Sequence, residues 1–364
     1  MYYSVALQGS GHARRRPWSA LTRVPDGGDG VPRSTMLVLM ATTTDTPTVL
    51  RPPLLVAVAV VLATVSMIVP VEAASATAGP VLTESAENLA EALSCPATFR
   101  GEHEPVLLIH GTAGSPDNFT DNYARVLPPM GYDVCAVQLV DLGRGDIQAS
   151  AERVVYAIRT IAERAQRKVS VIGHSMGPLV ARWAIKWWPD VASLVDDLIG
   201  IAAPQHGWRG TDAFCAGGCV PALWQMKRES KFMAAFNKGD ETPGDVSYTS
   251  VYTITDELVQ PFWTADLRGG VNIKIQDLCP GRVGEHFEML YDSAAYGVAL
   301  DALSHPGPAD LSRIDRSLCL QPTMPGTTTA DLAAGEVEAW TVGSPALNEH
   351  HVDREPPVAD YARS

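Results

Sequence analysis

The sequence is short of positive charge. It holds 28 Lys and Arg against 41 Asp and Glu, which gives a formal net charge of −13. Residues 1–76 contain six Arg and four acidic residues, so the rest of the chain is more acidic than the whole. Such a chain repels nucleic acid and anionic membrane surfaces, and we therefore exclude binding to either through charge.

Metal-site patterns and internal repeats are also lacking. The cysteines form no Cys-x-x-Cys pair and have no accompanying His, so we expect no metal and no other cofactor. An even number of cysteines, all after residue 76, favours three disulfides of an exported protein over free thiols, although the sequence alone permits fifteen pairings. The six are Cys95, Cys135, Cys215, Cys219, Cys279 and Cys319.

One long apolar run stands near the beginning of the chain. Residues 54–70 are broken only by Thr64 and Ser66, follow Arg51 and precede small residues typical of a cleavage site. We predict that residues 1–76 are an N-terminal extension with a secretory signal peptide, and that the protein is extracellular. A retained membrane anchor is the alternative, because about seventeen apolar residues approach the minimum for a span. The unpatterned residues before Met36 or Met40 suggest that the start codon is assigned too early.

Strand-like and helix-like segments alternate from about residue 80. After Asp146, a possible helix cap, apolar residues recur at helical spacing. The short apolar runs elsewhere end at glycine or polar turns. The alternation predicts an α/β fold with a mostly parallel central sheet flanked by helices. The predicted strands are 106–109, 132–139, 169–172, 198–202, 246–254 and 271–275.

We assign residues 80–322 to one catalytic domain. Within it, residues 205–245 break the rhythm with glycines, aromatic residues and a close Cys pair, and we predict a helical lid or cap above the sheet. Residues 323–364 are rich in Thr, Pro, Gly and Ala, which predicts a disordered tail. Six large side chains fit either the wall of an apolar substrate channel or plain core, and we favour core for each. They are Trp187, Trp188, Trp224, Phe232, Met233 and Phe236.

The candidate nucleophile is Ser175 in Gly173-His174-Ser175-Met176-Gly177. Glycines two residues before and after a serine permit the sharp strand-to-helix turn that exposes its hydroxyl. The bare pattern is a weak signal, and an inert Ser in a Gly-bounded turn is the alternative. Its context favours the nucleophile, because a predicted strand precedes the motif and a helix with Pro178 in its first turn follows.

A tetrahedral intermediate needs two hydrogen-bond donors for its oxyanion. Where a serine nucleophile lies on such a strand-to-helix turn, one donor is the backbone N–H after the nucleophile, here that of Met176. The other comes from the loop after an earlier strand. Strand 106–109 runs into His110-Gly111-Thr112, so Thr112 is the second candidate, through its N–H and its hydroxyl. A purely structural strand end is the alternative interpretation.

The base and its acid should follow the nucleophile in the order Ser, Asp or Glu, His. His286 follows a predicted strand and a loop, as such a base should, and Asp256 ends the preceding strand; Glu257 stays open as the acid. We expect His110 and His174 to shape the loop and the turn rather than to transfer protons. The other downstream histidines fit less well, namely His305 in a surface turn and His350 and His351 in the tail.

Several segments resemble the Candida antarctica lipase B family of secreted lipases. They are residues 105–112, the elbow at Ser175, Trp224-Gln225 after Pro221, and residues 252–261, whose Thr-Asp-Glu-x-Val-Gln-Pro string is the most specific. The resemblance covers roughly residues 90–320. It implies an α/β-hydrolase fold with Asp256 as the acid and His286 as the base.

The resemblance also implies two disulfides, Cys95 with Cys135 and Cys279 with Cys319, which leaves Cys215 with Cys219 as a local addition. This chain departs from the family in having Met176 where that lipase has glutamine, and in having Gly173 as the first glycine of the elbow. The Cys215–Cys219 loop falls where a lid would be, so substrate access cannot be carried over.

We therefore expect hydrolysis of carboxylic esters, chiefly acylglycerols, through an acyl-enzyme on Ser175. An acyltransferase or a polyester or mycolate esterase with the same triad is one alternative, and a non-catalytic lipid-binding protein of the cell surface is another. The expected partner is an ester or lipid substrate, with contact to a lipid interface compatible with it. No nucleic acid is expected, and we expect a monomer.

Overall fold

The computed structural model describes residues 79–363. The expected N-terminal extension 1–76, with its signal peptide and apolar core 54–70, lies outside these residues. In the described part of the chain, no helix combines the length and the apolar composition that crossing a bilayer requires.

A seven-stranded sheet forms the centre of the fold. Its strand order is β1-β3-β2-β4-β5-β6-β7, with β1 antiparallel to β3 and every other neighbouring pair parallel. The predicted α/β-hydrolase fold with a mostly parallel sheet is confirmed. The strands are β1 Leu93–Ser94, β2 Val106–Ile109, β3 Val134–Val137, β4 Val169–His174, β5 Val195–Ile201, β6 Ser247–Tyr252 and β7 Val271–Lys274.

Twelve α-helices accompany the sheet within residues 79–363. They are α1 Ala86–Glu91, α2 Tyr123–Val126, α3 Ile147–Ala165, α4 Gly177–Trp187, α5 Pro189–Leu194, α6 Thr211–Phe214, α7 Pro221–Gln225, α8 Lys231–Phe236, α9 Ile275–Leu278, α10 Ser293–Ser304, α11 Thr329–Glu338 and α12 Ser344–Ala346. The longest, α3, is capped by Asp146, whose side chain accepts a hydrogen bond from the N–H of Gln148, as predicted.

Both faces of the sheet are buried, which explains the continuous apolar runs of its central strands. In β2, Leu107 and Ile109 belong to the hydrophobic core that contains α3 and α4, whereas Val106 and Leu108 belong to the core that contains α10. Alternate side chains of a strand point to opposite faces, so four consecutive apolar residues supply both layers. The carboxyl ends of the parallel strands lie together at one edge of this buried sheet, and the candidate site lies there.

Residues 205–245 contain three short helices, α6, α7 and α8, as expected of a helical excursion. The structure joins Cys215 to Cys219 within this segment, and it contains the two disulfides that the family resemblance implies. The expectation of core for the large side chains is confirmed for Trp188, Phe232, Met233 and Phe236, which are buried together. Trp187 and Trp224 are partly buried and pack against the same cluster.

Residues 323–363 are folded, so the prediction of a disordered tail is wrong over that range. Helix α11 begins with a capping box between Thr328 and Asp331, and a π-helical turn, Ala339–Gly343, joins it to α12. The segment that follows, residues 344–363, is called the C-terminal strap below. Its Val358 and Ala362 are buried in the core, and Tyr361 packs edge-on against Trp188.

Polar contacts with remote parts of the chain hold the strap. The buried guanidinium of Arg144 donates to the carbonyl of Ala346 at 3.0 Å and to Glu349 at 2.9 Å, and it pairs with Asp141 at 2.7 Å. Two further contacts come from the lid region. Val352 exchanges two backbone hydrogen bonds with Cys219, and the Glu355 carboxylate accepts from the N–H of Phe232 at 2.7 Å. Composition could not predict this order, because each partner lies more than a hundred positions away.

We expect Arg144→Met to loosen the strap. Asp141 and Glu349 lose the cation they share, and the Ala346 carbonyl loses its donor, so the unfolding free energy should fall by about 2 kcal/mol. Chemical denaturation measures this loss, and limited proteolysis should cut the strap sooner than in the unmodified protein. As a control, Lys168→Met removes a half-exposed pair with Asp196 and should cost less than about 0.5 kcal/mol. Equal stability and equal protease resistance of Arg144→Met would contradict the role of Arg144.

Candidate active site

Ser175 lies on a strained turn between β4 and α4. Its φ is 55°, a left-handed conformation that is uncommon for residues other than glycine, and its N–H donates to the carbonyl of Ile201 at 2.9 Å. The flanking glycines are sterically required. A Cβ on Gly177 would lie 2.2 Å from the carbonyl oxygen of Ile109, and one on Gly173 would lie 2.7 Å from the nitrogen of Pro178. The turn is therefore the sharp elbow that the sequence pattern predicts.

His286 lines the same cavity as Ser175 and is paired with Asp256. The His286 Nδ1 lies 2.8 Å from Asp256 Oδ2, and both side chains are buried. The other oxygen of Asp256 accepts from the N–H groups of Leu258 at 2.9 Å and Val259 at 2.7 Å. The two backbone hydrogen bonds orient the carboxylate, and the carboxylate in turn orients the imidazole ring.

The environment of this pair shifts both pKa values in the direction that favours an ion pair. Burial alone would lower the pKa of His286, but the charge of Asp256 and the hydrogen bond with it, aided by Glu257, hold that pKa above its usual value. Burial would likewise raise the pKa of Asp256, yet His286 and the two backbone N–H donors keep it below its usual value. Asp256 is therefore ionised at neutral pH.

Glu257, which the sequence left open as the acid, has a different place. Its Oε2 accepts a hydrogen bond from the backbone N–H of His286 at 2.8 Å, so it contacts the main chain of that residue. The other downstream histidines lie apart from the cavity. His305 bonds to the Asp301 carbonyl, His350 to Asp141 and His351 to the Leu347 carbonyl. The structure thus brings Asp256, and not Glu257, to the imidazole ring.

The candidate oxyanion loop faces the elbow. Gly111 and Thr112 line the cavity with Ser175, and the Thr112 hydroxyl lies 3.5 Å from the sulfur of the fully buried Met176. His110 supports this loop: its Nδ1 donates to the Gly111 carbonyl at 2.8 Å, and its Nε2 accepts from the N–H of Leu139 at 3.1 Å. Burial lowers the pKa of His110 to about 4, so the ring stays neutral and can do both.

The cavity has a volume of about 180 Å³ and largely apolar walls. Trp208, Phe214, Leu223 and Met226 come from the predicted lid region. Sequence reasoning missed Trp340 and Leu347, because they belong to the segment that was expected to be disordered. The spacing of Val337, Trp340 and Leu347 is compatible with helical turns and could have indicated that this segment folds over the site. The large apolar wall residues are Trp208, Phe214, Leu223, Met226, Leu258, Val259, Phe287, Trp340 and Leu347.

Metal ligands are not grouped in the described part of the chain, where no three His, Cys, Asp or Glu residues come together in a way that could hold an ion. What the cavity does contain is a serine on a strained turn, a carboxylate-oriented imidazole and a glycine loop, next to apolar walls. Chemically, such an arrangement can activate a hydroxyl for attack on an electron-poor carbonyl carbon.

Three comparisons with known proteins agree with one another. The family model described as "Lipase (class 2)" matches residues 103–273, which include Ser175 and Asp256 and end before His286. Lipase B of Pseudozyma antarctica is 29% identical over 237 residues, which are 62% of this chain and 69% of that protein. The crystal structure of Aspergillus fumigatus lipase B superposes with a TM-score of 0.73 at 30% identity, covering 79% of this chain and 74% of that one.

We expect Asp256→Asn to lower the pKa of His286 below the usual value of a histidine, because burial dominates once the carboxylate charge is gone. The titration is read from the histidine ring signals in NMR spectra, with circular dichroism to establish that the variant is folded. Glu285→Gln, which removes an exposed neighbouring carboxylate, should leave that pKa nearly unchanged. An unchanged His286 titration in Asp256→Asn would disprove the pairing.

Proposed function

This chain belongs to the lipase B family of α/β-hydrolases, and from that premise we propose that it hydrolyses carboxylic esters, acylglycerols in particular, through an acyl-enzyme on Ser175. The observation that carries the proposal is the meeting of the strained Ser175 elbow with the Asp256–His286 pair in one apolar cavity. Each residue supplies one role of a serine hydrolase.

In the proposed first half-reaction the Ser175 hydroxyl attacks the ester carbonyl while the neutral His286 takes its proton at Nε2. The Nδ1–H donates to Asp256, which selects this tautomer and stabilises the imidazolium that forms. The carbonyl oxygen becomes an oxyanion bound by the N–H groups of Thr112 and Met176. Collapse of the intermediate breaks the ester C–O bond, and His286 returns the proton to the leaving alkoxide.

The second half-reaction repeats these steps with water. His286 takes a proton from the water molecule as it attacks the acyl-enzyme, and the oxyanion again lies at the Thr112 and Met176 amides. Collapse releases the fatty acid and restores the Ser175 hydroxyl with the proton from His286. No cofactor enters, because every proton that leaves a nucleophile is carried by the same imidazole.

The walls of the cavity support an acyl substrate. Its volume of about 180 Å³ is below the roughly 300–1,000 Å³ of typical ligand pockets, so it suits a short acyl group or part of a longer one. Phe214 and Trp340 line the cavity and are also more than half exposed, so they offer apolar surface on which the rest of a chain can lie.

We also propose that the protein acts outside the cell. Its three disulfides need an oxidising compartment to form and persist. The apolar run 54–70, in the part of the chain outside the described residues, has the sequence of a secretory signal. Export would bring the enzyme to ester substrates in its surroundings.

Removal of the nucleophile tests the proposed function. The unmodified protein should hydrolyse p-nitrophenyl butyrate and emulsified tributyrin, and Ser175→Ala should lower kcat on both by at least about 10⁴-fold, because no other group forms the acyl-enzyme. Ser304→Ala, at an exposed serine, should keep full activity. If Ser175→Ala turned over either ester at the unmodified rate, the proposal would be overturned. Turnover of the soluble ester alone would exclude acylglycerols as the substrate class.

The pH profile tests the electrostatics of the base. The acid limb of kcat/KM reports protonation of His286, and Glu257 contributes to its raised pKa. Glu257→Gln keeps an acceptor for the His286 N–H but removes the charge, so the limb should move to lower pH. Because Glu257 is exposed and its charge is screened by solvent and salt, the shift should be small, and it should be larger at low salt than at high salt. Glu87→Gln, on the distant helix α1, should move nothing; a shift to higher pH in Glu257→Gln would contradict the assignment.

A further inference from the structure

His174 is the last residue of β4 and the chain neighbour of Ser175. Its side chain is buried, and its ring centroid lies 4.9 Å from that of His286, with the two planes inclined by 46°. The His174 Nε2 lies 3.0 Å from the backbone carbonyl oxygen of His286. A single side chain next to the nucleophile therefore contacts the residue that carries the base.

The hydrogen bond defines the protonation of His174. A carbonyl oxygen only accepts, so the proton of the ring must be on Nε2. Burial, together with the nearby His286, lowers the pKa of His174 to about 3, so the ring carries this one proton and no charge at neutral pH. A neutral ring is needed at this place, because a charged one would oppose the imidazolium that His286 becomes.

The main chain of His286 is held from two sides. Glu257 accepts from its N–H, and His174 donates to its carbonyl. The loop that carries His286 lies between α9 and α10 and belongs to no strand, so the ladder of the sheet does not position it. The contact from His174 links this loop to β4, the strand that also carries Ser175.

We propose that His174 is a positioning residue for the base: by donating to the His286 carbonyl, it fixes the position of the His286 loop relative to the Ser175 elbow. This inference rests on the proposed function and deepens it. Reacting groups must be placed to within a fraction of an ångström, and a displacement of about 1 Å can cost about 10²-fold in rate. The contact should therefore affect kcat more than substrate binding.

A different role for His174 would be that of a plain wall, since its side chain also lines the cavity. Gln and Met separate the two roles, because their side chains have similar length and only Gln has an N–H donor. A wall residue would respond to shape, so both substitutions would change KM to a similar degree. A positioning residue would respond to the donor, so Gln would rescue what Met loses.

The test compares His174→Met and His174→Gln in the full chain with p-nitrophenyl butyrate as substrate. We expect His174→Met to lower kcat by about 10- to 100-fold with KM within about twofold, and His174→Gln to recover most of that loss. Equal kcat values in the two variants, or a loss confined to KM, would overturn the proposal. If the unmodified enzyme had no Ser175-dependent activity, the proposed function would fail instead.

A second measurement does not depend on the variants folding. In the unmodified protein labelled with ¹⁵N-histidine, the signals of His174 should be those of a neutral ring with the proton on Nε2 throughout pH 5 to 8. Their assignment follows from their absence in His174→Gln, or from sequential assignment if that variant does not fold. An Nδ1–H tautomer, or titration of His174 within this pH range, would overturn the proposal.

Discussion

The left-handed backbone at Ser175 is the constraint on which the arrangement of the site depends. A residue with a side chain adopts a φ of 55° at a cost of about 1 to 2 kcal/mol, so the surrounding fold must impose it. Strand β4 does so from the middle of the sheet, paired with β2 on one side and β5 on the other. The carbonyl of Ile201, at the end of β5, then accepts the Ser175 N–H.

The same edge of the sheet assembles the remaining parts. Strand β2 ends at the oxyanion loop, β6 is followed by Asp256 and Glu257, and β4 ends with His174 and the elbow. Within this group, the Asp256 carboxylate contacts the His286 ring and the Glu257 carboxylate contacts the main chain of the same residue. His110 and His174 are kept neutral by burial, so they serve as hydrogen-bonding groups and add no positive charge near the base.

Local sequence predicts those features whose causes are local. The elbow follows from two glycines and the strand and helix around them, and helix α3 follows from an apolar period behind Asp146. Asp256 and Glu257 are adjacent, so residue order could not tell which of them is the acid. The difference lies in which atom of His286 each carboxylate contacts. The strap was wrongly predicted to be disordered. Its ordered conformation depends on contacts with Arg144 and Cys219, and composition carries no information about remote partners.

The central claim is that Ser175 is the residue acylated by the substrate, and covalent labelling tests it most directly. A fluorophosphonate reacts with an activated serine to give a stable adduct, which peptide mapping by mass spectrometry then locates. We predict one adduct per chain, on Ser175, formed in step with the loss of esterase activity. An adduct on another hydroxyl, or unchanged activity when Ser175 is fully labelled, would contradict the account.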